Sequence, residues 1–218
     1  MAEGGGTVMI EFEWLAHGDP QRLLALLPDH VSERKLRLFL CACCRPFVEA
    51  AGDGRLLQAL DTAERAADGR ADEAECAAVE AAVMRAAREA EGGVPAAIWV
   101  AAATATPTRE ELSAFLGAAR EGVDDPDAER LRQCALLREL FGNPFRPRRL
   151  EAAWLRWNDR AVPKLARAVY DDGRFSDLPI LADALEEAGC DDADLLGHCR
   201  GGGHVRGCWA VDLLLGQQ

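Results

Sequence analysis

The sequence predicts an all-α protein, a single-domain irregular helical bundle or array of about nine to eleven helices. Three observations carry this expectation. Apolar residues recur at three- and four-residue spacing along most of the chain, no segment alternates with the two-residue period of a strand, and glycine or proline falls between the periodic stretches. The 218 residues are 49% hydrophobic, enough to enclose a core. Only 6% are aromatic, so alanine-rich helices must approach closely while leucine supplies the bulk.

Taken in order, residues 1–10 read as a loose, glycine-rich N-terminus, with order from Glu11 onward. Trp14 and Leu15 open a short helix, His17-Gly18-Asp19-Pro20 breaks it, and a second runs from Pro20 to Leu27. Ser32 is the expected N-cap of a helix to Ala50 that buries Leu36, Leu40, Cys43, Cys44 and Phe47, and Pro46 should kink it or end it early. Leu56, Leu57, Leu60, Ala63 and Ala67 mark the next helix, closed at Gly69. Asp72 to Glu91 is nearly pure helix former, and the uncharged stretch Val94 to Ala105 reads as a buried helix around Trp99. Thr108 and Glu111 have capping-box spacing. Asp125-Pro126 starts a helix to Phe141 with Leu131, Cys134, Leu137 and Phe141 inward. The turn at 142–147 is the candidate sub-boundary of the domain 11–218. Beyond it, Trp154 and Trp157 call for buried contact and Asn158 is the expected N-cap of a helix. Val162, Leu165, Ala166, Val169 and Tyr170 form one stripe, and Leu178, Leu181, Ala182 and Leu185 another, closed by Gly189.

The formal net charge of -12 repels a phosphate backbone, which argues against general nucleic-acid binding. No apolar run is long enough for a membrane span, and Met1 to Gly6 lacks the basic and apolar regions of a signal peptide. The eight cysteines are therefore expected to be reduced, in a cytoplasmic protein. In the Cys41-Ala42-Cys43-Cys44 cluster, core packing outweighs metal ligation because Cys43 and Cys44 lie on the apolar stripe. Charge is uneven: residues 171–194 hold nine acids against Arg174, while the segment before them is arginine-rich.

Glu33-Arg34-Lys35-Leu36-Arg37-Leu38-Phe39 with Cys41 to Arg45, the Phe141 to Pro147 turn, Leu178 to Cys190, and His204-Val205-Arg206-Gly207-Cys208-Trp209 together resemble an uncharacterised family of bacterial hypothetical proteins. The resemblance covers most of the chain outside residues 50–125. It implies that the C-terminal stretch is a recurring unit, and it implies no activity, cofactor or site residue.

Chemistry concentrates between Cys190 and Trp209, where three cysteines, two histidines and two arginines surround five glycines. Cys190, His198, Cys199, His204 and Cys208 are candidate zinc ligands, since zinc takes thiolate and imidazole and the Gly201–Gly203 run lets the chain fold back. His198 and Cys199, adjacent on a helix, point about 100° apart and rarely serve one metal. Arg200, Gly202, Gly203 and Arg206 are a candidate anion site, against a simpler pairing of Arg206 with Asp212. A catalytic Cys-His pair needs an orienting group that the spacing does not supply, so the expectation leans away from an enzyme. The leading expectation is a helical adaptor that binds another protein through Arg146, Arg148 and Arg149 or through Asp191, Asp192 and Asp194. The alternative is a metal- or anion-binding protein, an enzyme among its variants, with its site at residues 190–208.

Overall fold

The computed structural model of the protein describes residues 3–89, 100, 103, 107–146 and 148–217. Among these residues are eleven α-helices, one 3-10 turn and no strand. The helix expected at 94–105 lies outside the described residues except for Val100 and Ala103, both buried. No helix among the described residues is long and apolar enough to cross a membrane. Residues 1–138 and 139–218 form two compact units.

The first unit holds α1 (Glu3–Ala16), α2 (Pro20–Leu26), α3 (Glu33–Ala51), α4 (Gly54–Ala67), α5 (Glu73–Glu89), α6 (Arg109–Glu121) and most of α7 (Pro126–Phe141). Helix α1 starts at Glu3, well before Trp14. Once a buried anchor such as Trp14 fixes one turn, adding residues costs less than nucleation, and the helix runs back through the glycines. The local caps follow the sequence. Asp19, Ser32 and Asp53 accept backbone N–H bonds at the starts of α2, α3 and α4, and Thr108 and Glu111 form both bonds of a capping box on α6. Three arginines then satisfy carbonyls where helices end: Arg109 donates to Leu24, Leu27 and Pro28, Arg130 to Gly18, and Arg138 to Trp14 and His17.

Pro46 neither ends nor shortens α3, which continues to Ala51. A proline lacks the N–H that would bond the carbonyl four residues back, here that of Ala42. The Arg132 guanidinium takes that place, donating to Ala42 O at 3.3 Å and Cys43 O at 3.0 Å. Cys41, Cys43 and Cys44 are fully buried thiols whose pKa values burial raises; they pack the core of this unit. On α7 the inward face differs from the apolar stripe. Leu131 is 57% exposed, whereas Glu129 and Gln133 are buried. The polar pair is admitted because Gln133 Nε2 donates to Glu129 at 2.9 Å and Arg132 engages the same carboxylate at 2.7 Å.

The second unit holds the last turn of α7, α8 (Ala152–Asp172), the 3-10 turn Phe175–Asp177, α9 (Leu178–Glu187), α10 (Ala193–Cys199) and α11 (Trp209–Leu215). Helix α8 packs against α9 and α11, and α10 against α9 and α11. Asn158 is not an N-cap: with Asp159 and Arg160 it adopts positive φ inside α8, making a left-handed turn that kinks the helix. Beyond the kink, Val162, Ala166, Val169 and Tyr170 face Leu178, Leu181, Ala182 and Leu185 in one core, joined by Leu195, Cys199, Cys208, Val211 and Leu214. Gly189 closes α9 in a left-handed cap, with Cys190 N–H reaching Leu185 O at 2.9 Å.

Candidate metal centre

Four side chains of the second unit converge: Glu139, His198, His204 and Cys208 each offer one donor atom, and these atoms all lie within 4.8 Å of one another. Four separate pieces of backbone deliver them. Glu139 stands on the last turn of α7. His198 is on α10, whose start Asp192 fixes by accepting from the backbone N–H groups of Asp194 and Leu195. His204 lies in the loop after α10, and Cys208 is the N-cap of α11. The chain reverses between the two histidines at Gly201, whose N–H bonds His198 O at 2.9 Å. A Cβ at Gly201 would sit 3.0 Å from that same oxygen, so only glycine makes the turn without displacing the helix end.

The distances define a closed cluster. His198 Nε2 is 3.2 Å from Cys208 Sγ and 3.4 Å from Glu139 Oε2. His204 Nδ1 is 3.1 Å from Glu139 Oε1 and 4.0 Å from Cys208 Sγ. All four groups are largely buried, His198 retaining the most exposure at 18% of its side chain. The buried Nε2 of His204 has no hydrogen-bond partner, so its ring is held from the Nδ1 side. The His198 ring lies between His204 and Trp209, each at 4.8 Å between ring centroids.

Burial governs the electrostatics. It raises the Cys208 thiol well above its usual range, with Glu139 pushing the same way, and lowers the His198 imidazole to about 4 although Glu139 opposes that shift. The histidine thus keeps a free lone pair at neutral pH, and the thiol keeps its proton unless a cation displaces it. For the protein without a cation this predicts an acid dependence. The folded value of His198 lies below the ordinary 6.5, so its contribution is complete above about pH 6.5 and is lost as pH falls through about 4. Chelator-treated protein should lose about 3 kcal/mol over that interval by chemical denaturation, and His198→Asn should remove this part of the slope.

Of the five ligand candidates in the sequence, His198, His204 and Cys208 come together, while Cys190 and Cys199 are buried thiols outside the group. Burial lifts Cys199 to about 12. Glu139 is the member that the sequence did not single out. Its only local signal is its place beside Arg138 between the apolar pairs Leu136-Leu137 and Leu140-Phe141.

The other candidates are placed differently. Arg200 pairs with Asp183 and Glu186 on α9, and Arg206 lies over the Tyr170 ring at 4.6 Å and donates to Tyr170 O. Gly202 and Gly203 are exposed, and Asp212 is buried. Arg148 donates to Asp192 and Asp194, joining the basic and acidic surfaces expected to bind a partner. Arg146, Arg149 and Asp191 are exposed.

No family model, curated protein or solved structure matches the chain. The functional reading rests on the geometry of the site.

Proposed function

We propose that this protein binds one divalent transition metal, zinc by preference, in a structural centre made by Glu139, His198, His204 and Cys208. The spacing of the four donor atoms carries the reading. Zinc bonds of about 2.0–2.1 Å to nitrogen or oxygen and about 2.3 Å to sulfur put tetrahedral neighbours roughly 3.3 Å apart, or roughly 3.6 Å where one is sulfur. With Glu139 Oε2 as the carboxylate ligand, the nitrogen–oxygen separations are 3.3 and 3.4 Å and the nitrogen–sulfur separations 3.2 and 4.0 Å, close to those edges, and no pair of donor atoms is more than 4.8 Å apart.

The donor set points the same way. A thiolate and two imidazoles suit zinc, whereas magnesium and calcium take oxygen ligands. One thiolate and one carboxylate balance the charge of a divalent ion, which gives the buried Glu139 a cation inside its own cluster. Four protein ligands also fill a tetrahedron and leave no position for substrate, the arrangement of a structural site. Its role is then to fasten the loop 200–208 and the start of α11 to α7 and α10.

Cobalt(II) tests this directly, because it occupies zinc sites and reports its own geometry. Purified protein should contain one zinc per chain by elemental analysis. Its metal-free form should take up one Co2+ with tetrahedral d–d bands and a thiolate-to-metal charge-transfer band, the latter disappearing in Cys208→Ser. Protein that carries no stoichiometric metal and stays spectroscopically silent toward Co2+ refutes the proposal.

A further inference from the structure

We infer that Trp209 is the positioning residue of this centre: its indole, wedged between Gly142, Arg148 and His198, sets the orientation of the His198 ring and the place of the Cys208 sulfur. The inference rests on the metal-binding reading and goes beyond it, because Trp209 offers no ligand atom. Metal-bound histidines are held by a surrounding shell, usually a hydrogen bond to the second ring nitrogen, and loss of that shell weakens binding without removing a ligand. Here the aromatic face supplies the support. The Trp209 and His198 rings lie 4.8 Å apart at an interplanar angle of 46°.

Three further contacts hold the indole, and each connects to a ligand. Trp209 is the first residue of α11 and directly follows Cys208, so one stretch of backbone carries both the indole and the sulfur. Gly142 stands three residues after Glu139, at φ +60, and a Cβ there would fall 3.0 Å from Trp209 Cγ and 3.1 Å from Cδ2. The turn therefore needs glycine twice over, for its left-handed backbone and for the indole against it. The Arg148 guanidinium covers the ring at 5.2 Å from its centroid. Arg148 in turn is fixed by Asp192, the residue that caps the helix carrying His198. One side chain thus registers the end of α7, the start of α10 and the start of α11 against each other.

The test uses the full chain, with Zn2+ affinity measured by competition against a chromogenic chelator and Co2+ spectra recorded for each variant. Trp209→Leu keeps every ligand and should still bind one metal, but about 10- to 100-fold more weakly, with shifted and broadened Co2+ d–d bands. Trp209→Phe retains an aromatic face and should recover most of the affinity and the band shape. Arg148→Met, which leaves the indole in place but removes its outer cover and the ion pair to Asp192, should lose affinity by a smaller factor, with Asp192→Asn as the control for the ion pair alone, and serves where Trp209→Leu does not fold. A loss of less than threefold with an unchanged Co2+ spectrum, in Trp209→Leu or, if that variant is unfolded, in Arg148→Met, overturns the inference and leaves the metal centre standing. Wild-type protein that takes up neither Zn2+ nor Co2+ overturns both.

Discussion

Chelation should lower the unfolding transition of residues 139–218 by about 15–30 °C. The estimate follows from linkage. A ligand at about 1,000 times its dissociation constant stabilises the folded state by about 4 kcal/mol, and in a unit of this size each kcal/mol moves the midpoint by about 4–8 °C. The effect should be local, because the four proposed ligands lie in the C-terminal unit and no other group of three or more His, Cys, Asp or Glu side chains placed to hold a metal ion occurs among the described residues. Amide exchange should accelerate in the loop 200–208 and in α11, while α3 and α4 stay protected. The Cys208→Ser variant should already show the lower transition and respond little to chelator. An unchanged melt and exchange pattern after exhaustive chelation would remove the metal from the account of this unit's stability.

The reason for expecting so large an effect lies in what holds the loop otherwise. Gly201, Gly202 and Gly203 contribute no side chains to packing, and ordering them costs more backbone entropy than ordering any other residue. Arg200 and Arg206 tie the loop to α9 and to Tyr170 at the end of α8, but the residues that tie it to the last turn of α7 are His204 and Cys208, both members of the cluster. Without a cation, their hold on Glu139 is a set of hydrogen bonds between a carboxylate, two imidazoles and a thiol, each with a modest net contribution.

Local signals made much of this architecture legible in the sequence. Ser32, the Thr108–Glu111 pair and Gly189 each act within a few residues of themselves, and each caps the helix expected of it. The stripes from Val162 to Tyr170 and from Leu178 to Leu185 face one core for the same reason. What escaped depends on distant partners. Leu131 reads as core and is exposed, whereas Glu129 and Gln133 are inside, where Gln133 Nε2 and Arg132 both donate to the Glu129 carboxylate. Asn158 reads as a cap, yet the chain takes three successive left-handed residues there. The candidate site divides the same way. His198, His204 and Cys208 surround one glycine run and could be named from it, and the 100° helical offset already separated His198 from Cys199. Glu139 reaches the group only through tertiary folding, and no spacing rule links it to the loop.

Arg132→Met should destabilise the first unit by about 3–5 kcal/mol, the largest loss expected from a single substitution outside the metal cluster. Two effects add. The guanidinium satisfies the Ala42 carbonyl left without a helical donor by Pro46 and also donates to that of Cys43, so its removal strands the Ala42 acceptor. It also leaves the Glu129 carboxylate, 8% exposed, with a neutral amide from Gln133 as its remaining neighbour in this network. Methionine keeps an unbranched apolar stem while removing the guanidinium, which also lies 6.0 Å over the Phe47 ring, so lost volume is kept small beside the polar loss. The two effects separate in a double-mutant cycle followed by urea denaturation. Glu129→Gln should recover part of the loss in the Arg132→Met background by removing the unpaired charge, and Pro46→Ala should recover a different part by restoring an N–H for Ala42. If neither second substitution improves Arg132→Met, the guanidinium does not act through these partners, and the continuation of α3 through Pro46 requires another cause.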